Sequence, residues 1–362
     1  RLRAHVGRLR LQDRLPRGLR GQPSRHRRPL VSRSALFVAN APSSFTPSWW
    51  LPGPHAQTLG ARFLRPKRGP RVRRERWDTP DGDFLDLDFV EGDDLRDDAL
   101  VILLHGLEGS ARSGYIIETQ RKLAERGMAS VAMNFRSCSG ELNRGLRLYH
   151  SGETSDLAWV VERLRTARPD RRLAASGVSL GGNVLLKYLG ETGSGSGLDA
   201  AAAWSVPFDL AAGARFMEHG FSRIYVRRLL RSLKGKSRAR RHDLGPLIDL
   251  ERTLTAATFR EFDDAATAPL HGFDGADDYY ARSSCGRFLP TITVPTLVIH
   301  ARDDPFVPAD AIPETVLDKN PSITPIITDH GGHVGFVSGE MPLGPHFWAE
   351  DRIADWLADR LR

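Results

Sequence analysis

Two patterns of hydrophobic residues recur along most of this chain. Short runs that are apolar at nearly every position are typical of buried strands, and stretches with one apolar face at helical period are typical of helices. From about residue 99 onward, these two patterns alternate. The alternation predicts an α/β fold, with a mostly parallel sheet that is covered by helices on both faces.

The pattern predicts eight strands. The first two, at residues 72–77 and 84–90, flank the turn Pro80-Asp81-Gly82 and are expected to form an antiparallel hairpin. The remaining strands are predicted at residues 100–104, 129–133, 171–175, 200–204, 296–300 and 324–328. Helices are predicted near residues 116–126, 155–166, 183–189 and 346–361.

The interval between the strands at 200–204 and 296–300 is far longer than a crossover requires, which is about a dozen residues. We therefore expect a cap, inserted at about residues 207–290, above the carboxyl ends of the strands. The basic run within it, residues 223–241, is typical of a solvated helix face.

Residues 1–44 differ from the rest of the chain in composition. They hold eleven Arg, no Lys and one acidic residue, Asp13, and they have no sustained hydrophobic period. This composition predicts a disordered basic extension, which leaves residues 45–362 as the folded domain. An Arg-rich, acid-poor transit peptide would also fit, whereas the apolar stretch 35–38 is too short for the core of a signal peptide.

The net charge of +8 belongs to that extension, because residues 1–44 contribute +10 and the remainder carries −2. The net positive charge of the chain therefore gives no reason to expect a nucleic-acid partner. Two cysteines, Cys138 and Cys285, are too few for a disulfide framework or a cysteine-rich zinc site, which favours a reducing, cytoplasmic location. No apolar run is long enough to span a membrane, whereas peripheral membrane contact and the oligomeric state are left open.

The candidate nucleophile is Ser179, which lies in the sequence Gly-Val-Ser-Leu-Gly between a predicted strand and a predicted helix. A strand–Gly-x-Ser-x-Gly–helix turn is a nucleophile elbow, which lifts the serine hydroxyl above the sheet. Gly177 and Gly181 are expected to remove side chains that would collide in so sharp a turn. A glycine-rich turn with an ordinary serine is the alternative that the pentapeptide alone leaves open.

The candidate acid follows the strand at 296–300. In this architecture a serine nucleophile is followed along the chain by an acid and then by a histidine. Asp303 and Asp304 both come directly after that strand, and only one of them can meet an imidazole. We select Asp304 because it immediately precedes the turn Pro305-Phe306-Val307-Pro308, and we interpret Asp303 as a turn-capping carboxylate.

The candidate base follows the last predicted strand, 324–328, where the chain carries His330 and His333. We select His333 because Gly331 and Gly332 would let its loop approach the elbow closely. Acid, base and nucleophile then leave parallel strands at the same edge of the sheet.

An oxyanion in the transition state needs hydrogen-bond donors close to the nucleophile. One expected donor is the backbone N–H of Leu180, which follows the serine. The other is expected in the loop after the first buried strand, where His105-Gly106-Leu107 offers the N–H of Leu107. A plain tight turn is the alternative interpretation of that loop.

These features resemble the α/β-hydrolase superfamily and, more narrowly, its YheT-like branch. The resemblance covers residues 45–360 in order, and it implies carboxylic-ester hydrolysis without a metal or an organic cofactor. Relatives are associated with short- and medium-chain acyl esters, ethyl-ester synthesis, monoacylglycerols and phospholipids, so the resemblance does not fix the substrate. The matching segments are residues 49–58, 105–110, 135–140, 149–152, 177–183, 205–210 and 259–263, with the turns at Asp304 and His333.

The leading hypothesis is a serine hydrolase that cleaves short- to medium-chain acyl esters, monoacylglycerol or other lipid esters through an acyl-enzyme. The alternative is an acyltransferase or ester synthase that passes the same acyl group to an alcohol. A binding protein on a hydrolase frame is disfavoured because no member of the Ser–Asp–His set is missing. A metal hydrolase built from Asp303, His330 and His333 is a weaker rival.

Overall fold

The apolar runs form one twisted sheet in the computed structural model, which describes residues 45–342 and 344–362. The predicted extension at residues 1–44 lies outside the described residues, so its disorder stays a prediction. Within the described ranges the sheet has eight strands: β1 (Val72–Asp78), β2 (Phe84–Val90), β3 (Arg96–Leu104), β4 (Met128–Met133), β5 (Arg172–Val178), β6 (Ala200–Trp204), β7 (Thr296–Ala301) and β8 (Ile323–Thr328).

The spatial order of the strands is β1-β2-β4-β3-β5-β6-β7-β8. The hairpin β1–β2 is antiparallel, and β2 pairs antiparallel with β4. Every other neighbouring pair is parallel. The predicted mostly parallel, eight-stranded sheet is therefore confirmed, and the loops that follow β3, β5, β6, β7 and β8 lie at one edge of it.

Both faces of the sheet are covered by helices, as predicted. Successive side chains of a strand point to opposite faces, and β3 divides accordingly. The covering helices are α2 (Gly114–Ala124), α3 (Ser155–Ala167), α4 (Leu180–Thr192) and α13 (Trp348–Arg360). Leu100, Ile102 and Leu104 join the buried cluster formed with α3 and α4, whereas Val101 and Leu103 join the cluster formed with α2 and α13.

A run of helices lies between β6 and β7, in the interval where a cap is predicted. The longest is the basic one, whose Tyr225, Val226 and Leu230 are buried in a separate apolar cluster while its arginines face outward. The 207–290 boundaries stay a prediction. The helices are α5 (Leu210–Met217), α6 (Ser222–Ala239), α7 (Arg241–Leu244), α8 (Leu250–Thr255), α9 (Phe259–Phe262), α10 (Ala268–His271) and α11 (Ala276–Ser283).

Some elements were not predicted from the hydrophobic pattern. Helix α1 (Gly53–Leu64), which buries Gln57 and Ala61, lies in a stretch where no helix was predicted. Two short strands, β9 (Val337–Ser338) and β10 (His346–Phe347), pair with each other and delay the start of the last helix to Trp348. Helix α12 (Glu314–Lys319) joins β7 to β8. Among the described residues, no helix combines the length and the apolar character that crossing a membrane would require.

Candidate active site

Ser179 occupies the sharp turn between β5 and α4. The strand ends at Val178 and the helix begins at Leu180, so Ser179 alone makes the turn, at φ 52° and ψ −118°. A positive φ is costly for a residue with a Cβ and persists only where the surroundings hold it. The backbone N–H of Ser179 donates to the carbonyl of Trp204 at 3.0 Å, which ties the turn to β6.

The flanking glycines are required by close backbone contacts. A Cβ on Gly177 would lie 2.3 Å from the carbonyl oxygen of Gly181, and a Cβ on Gly181 would lie 2.5 Å from the carbonyl oxygen of Leu104. Both obstacles are main-chain atoms, which cannot rotate away. These contacts agree with a sharp turn that admits no side chain at either position, and the role of Gly177 and Gly181 in a nucleophile elbow stays a prediction.

The side chains of Ser179, His333 and Asp304 form a hydrogen-bonded row. His333 Nδ1 lies 2.8 Å from Asp304 Oδ2, and His333 Nε2 lies 3.0 Å from Ser179 Oγ. A carboxylate can only accept, so Nδ1 carries the proton and Nε2 is left to accept from the serine hydroxyl. This tautomer is the one in which an imidazole can act as a base toward serine.

Asp304 is buried, and each of its two carboxylate oxygens accepts a hydrogen bond that fixes its orientation. Its Oδ1 accepts a hydrogen bond of 2.7 Å from the backbone N–H of Phe306. The ring of Phe306 stacks on the ring of His333, with centroids 3.9 Å apart and planes within 3°. The turn after β7 therefore fixes the carboxylate and the imidazole plane together.

The loop that carries His333 is anchored by two side-chain oxygens. The N–H of His333 donates to Thr58 Oγ1 at 2.9 Å, and the N–H of Val334 donates to Ser205 Oγ at 2.9 Å. Thr58 belongs to α1 and Ser205 follows β6, so two distant segments hold the imidazole over the elbow. Neither anchor was predicted from the sequence.

Asp303 and His330 lie beside this row but outside it. Asp303 accepts a hydrogen bond of 2.8 Å from the N–H of Gly332, and burial raises the pKa of its carboxyl. His330 Nδ1 is 3.4 Å from Asp303, and the side chain of His330 is 65% exposed. The expectation about the glycines needs one correction, since a Cβ on Gly332 would meet Pro54 and Thr58 of α1 rather than the elbow.

A further histidine, His300, is fully buried and lies close to Asp304. Its Nε2 is 3.8 Å from Asp304 Oδ2, too long for a hydrogen bond, and within the described part of the chain neither ring nitrogen has a hydrogen-bond partner. Burial lowers the pKa of His300 to about 4. This residue is therefore neutral at physiological pH and does not compete for the carboxylate.

The loop after β3 is shaped by buried hydrogen bonds. His105 Nδ1 donates to the carbonyl of Gly106 at 2.8 Å, and its Nε2 accepts from the N–H of Phe135 at 3.1 Å. The N–H of Gly106 donates to the hydroxyl of Tyr115 at 3.0 Å. Leu107, the next residue, and Leu180 both line the cavity that contains Ser179.

The N–H groups of Leu107 and Leu180 are the two predicted oxyanion donors. Across the described ranges, neither group donates a hydrogen bond to another part of the protein. The N–H of Leu180 lies at the first position of α4, where the helix dipole favours negative charge. Two residues whose N–H groups are uncommitted therefore line the same cavity as the serine.

Glu108, the residue after Leu107, connects this loop to the inserted helices. It has φ 53°, and its N–H donates to the hydroxyl of Tyr149 at 2.8 Å. Its carboxylate accepts from the same hydroxyl at 2.7 Å and from Lys236 Nζ of α6 at 2.7 Å. Contacts on both sides thus hold the backbone around Leu107.

A cavity of about 840 Å³ opens next to Ser179. The elbow, the β3 loop, α1 and the inserted helices all contribute to its wall. Most of its lining is apolar, and the lining side chains from the inserted helices include Leu210, Met217, Leu229, Leu233, Phe259 and Phe262.

Asp263, which lies in the segment between β6 and β7, also lines this cavity. Its carboxylate accepts from Thr267 Oγ1 at 2.6 Å and from the hydroxyl of Tyr280 at 2.8 Å. Burial raises its pKa to about 6. Asp263 begins a short π-helical turn, Asp263–Thr267, a rare geometry that often occurs at functional sites.

The described residues contain no cluster of three or more His, Cys, Asp or Glu side chains that could hold a metal ion. Both ring nitrogens of His333 are already engaged by Asp304 and Ser179. The arrangement therefore gives no support to the alternative of a metal site formed by Asp303, His330 and His333.

Comparisons with known proteins agree with the fold described above. The sequence pattern of the alpha/beta hydrolase fold matches residues 99–340. The chain is 41% identical to "Putative esterase YheT" of Escherichia coli (strain K12), over 85% of this chain and 91% of that protein. The chain belongs to the α/β-hydrolase family, and within that family to the YheT-like branch.

Two more distant comparisons fit this assignment. The chain is 32% identical to "Phospholipase ABHD3" of Mus musculus, over 83% of this chain and 74% of that protein. The solved structure of the Pyrococcus furiosus esterase Pf2001 superposes with a TM-score of 0.52 at 18% identity, covering 80% of this chain and 92% of that one. At that identity the structural likeness supports the fold alone.

Proposed function

We propose that this protein is a serine hydrolase that cleaves carboxylic esters through an acyl-enzyme on Ser179. The observation that carries the proposal is the row from Ser179 Oγ through His333 to Asp304, with bonds of 3.0 and 2.8 Å. A serine hydroxyl is a weak nucleophile until a base takes its proton, and the base must be held in the correct tautomer. The relatives named as esterase and phospholipase agree with ester chemistry.

In the first half of the reaction, Ser179 Oγ attacks the ester carbonyl carbon while His333 Nε2 takes the hydroxyl proton. The carbonyl oxygen becomes an oxyanion, which the N–H groups of Leu107 and Leu180 stabilise. Asp304 stabilises the imidazolium of His333 without taking its proton. The intermediate then collapses, His333 protonates the leaving alcohol, and the acyl group stays on Ser179.

In the second half, water takes the place of the alcohol. His333 accepts a proton from water, which attacks the acyl carbon, and the same two N–H groups stabilise the second oxyanion. The proton returns from His333 to Ser179 Oγ as the acid leaves. An alcohol could enter instead of water, so the same residues would support ester synthesis as the second candidate activity.

The proposed substrates are short- to medium-chain acyl esters, or lipid esters such as monoacylglycerol. Support comes from the mostly apolar lining of the cavity and from its volume of about 840 Å³, which suits an acyl chain. We propose that the helices between β6 and β7 act as the cap over this chain. Cys138 and Cys285 are both free thiols, which fits the proposed reducing, cytoplasmic location.

The test is hydrolysis of a series of p-nitrophenyl esters of increasing acyl length. We expect turnover that is highest for short or medium chains and that falls by several powers of ten in Ser179→Ala, the matched control. Repeating the assay with ethanol and analysing products separates free acid from ethyl ester. No turnover at any chain length, by protein of native fold, would contradict the proposal.

A further inference from the structure

The mouth of the cavity carries large apolar side chains that are exposed. Phe63, in the last turn of α1, is 71% exposed, and Ile224, in the first turns of α6, is 52% exposed. Both line the cavity that contains Ser179. Phe221, the residue directly before α6, lies three positions before Ile224 and is 44% exposed. Exposed apolar groups that gather at one opening mark an interaction surface more often than single scattered ones do.

The same opening is cationic. Within the described ranges, none of its four exposed cations forms an ion pair with a carboxylate, although most other arginines of the domain do so. Two of them lie close enough to interact, since burial and the charge of Arg228 both lower the pKa of Arg62. The cations that line the cavity in this way are Arg62, Lys67, Arg112 and Arg228.

The carboxylates that line the cavity do not neutralise these cations. The carboxylate of Glu108 is buried and bonded to Lys236 and Tyr149, and that of Asp263 is bonded to Thr267 and Tyr280. The opening therefore presents uncompensated positive charge together with exposed apolar side chains. We use the name "rim" for its residues Arg62, Phe63, Lys67, Arg112, Ile224 and Arg228.

This combination fits an anionic lipid surface better than it fits other occupants. A two-fold contact with a second copy would set the same patch against itself and bring the rim cations face to face. A purely polyanionic partner would leave Phe63 and Ile224 uncovered. At a lipid bilayer, basic groups meet anionic headgroups while apolar side chains enter the acyl boundary.

We propose that the rim docks onto the surface of an anionic lipid bilayer, with the mouth of the cavity facing the lipid. Docking goes beyond the proposed ester hydrolysis and does not require it, because it depends on rim side chains rather than on Ser179. It would place the cavity where an acyl ester could enter directly from the bilayer.

The test measures vesicle binding by the Ser179→Ala protein, so that turnover plays no part in the result. Sedimentation is compared for vesicles of phosphatidylcholine alone and of equal parts phosphatidylcholine and phosphatidylglycerol, at low and high salt. Arg62→Ala/Phe63→Ser removes a neighbouring basic and apolar pair from the rim. Arg71→Ala/Val72→Ser is the matched control, because these residues are also exposed and adjacent but do not line the cavity.

We expect binding to the mixed vesicles that weakens at high salt, and little binding to phosphatidylcholine alone. Loss of one rim arginine should weaken binding about fivefold, and loss of Phe63 should weaken it further. Ile224→Ser/Arg228→Ala should repeat the effect from the other helix, with circular dichroism and thermal unfolding confirming that each variant is folded. The proposal is overturned if the mixed vesicles do not bind, if the rim and control variants lose binding equally, or if the rim variants instead dissociate a dimer in light scattering.

Discussion

Asp303 and Asp304 are neighbours in the chain, yet they hold different parts of one loop. Asp304 accepts from the imidazole of His333 at 2.8 Å, whereas Asp303 accepts from the backbone N–H of Gly332 at 2.8 Å. The first contact sets the tautomer and orientation of the base. The second holds the main chain just before it, so both carboxylates position His333 by different means.

Because the two aspartates make different contacts, replacing each by asparagine should affect activity differently. Asp304→Asn should lower kcat by about 10³–10⁴-fold, because an amide can donate to Nδ1 and so favour the wrong tautomer of His333. Asp303→Asn should keep most activity, because its amide oxygen can still accept from the N–H of Gly332. Steady-state kinetics on a soluble ester measure both. If Asp303→Asn is folded and is the inactive variant, then Asp303 rather than Asp304 is the acid that orients His333.

The close backbone packing at the elbow predicts that a side chain at Gly181 lowers both stability and activity. Gly181→Ala would bring a Cβ to 2.5 Å from the carbonyl oxygen of Leu104, so the backbone must shift and Ser179 must move with it. We expect a loss of about 1–3 kcal/mol in the free energy of unfolding and near-complete loss of activity. Gly235→Ala is the matched control, because a Cβ there meets open space in α6 and should stabilise the helix by about 0.5–1 kcal/mol. Urea unfolding with activity assays tests the pair, and equal behaviour would contradict the steric argument.

Buried histidines predict acid sensitivity. Burial lowers the pKa of His105, His271 and His300 to about 4, so each is neutral in the folded protein and takes up a proton more readily when unfolded. A depressed pKa contributes stability above the ordinary value of 6.5, and this stability is lost as the pH falls from 6.5 to about 4. The limit is about 3 kcal/mol for one such histidine.

His300 offers the sharpest test of this effect because its ring nitrogens lack hydrogen-bond partners in the described structure. His300→Leu should flatten the decline of the unfolding free energy between pH 6.5 and about 4, as measured by urea denaturation. His242→Leu, at an exposed side chain of α7, serves as the matched histidine-to-leucine control. An unaltered slope in His300→Leu would rule out its contribution.

The domain boundary gives a further prediction. The residues that the structure describes form one compact unit, and every candidate site residue lies within it. We expect that protein beginning at residue 43 expresses with the same thermal stability and the same kcat/KM for a soluble ester as the full chain. A substantial loss of either quantity would show that residues 1–42 contribute to the active domain.

Much of the fold and of the candidate site could be predicted from local patterns. Most strands of the parallel part of the sheet are apolar runs, and parallel strands deliver the residues that follow them to one edge of the sheet. Ser179, Asp304 and His333 each follow such a run, so their meeting could be inferred from chain order. The choice of Asp304 depended on Pro305, which shapes the turn that aims the carboxylate.

The hydrogen bonds that hold the loops of the site in place could not be predicted in the same way. Thr58 contacts His333 across 275 positions of sequence, and Ser205 contacts Val334 across 129. Tyr115, which accepts from Gly106, lies in a helix whose pattern indicates only burial. These hydrogen bonds depend on how loops pack in three dimensions, and a short polar side chain carries no periodicity that would indicate its distant partner.

The central claim is that Ser179 is the nucleophile, and covalent labelling tests it most directly. A fluorophosphonate needs the activated hydroxyl and the oxyanion donors but no knowledge of the natural substrate. We predict that the wild-type protein gains one adduct by intact-mass analysis, that peptide mapping locates it on Ser179, and that folded Ser179→Ala gains none while its kcat falls by several powers of ten. An adduct on another residue, or labelling that persists in Ser179→Ala, would contradict the account.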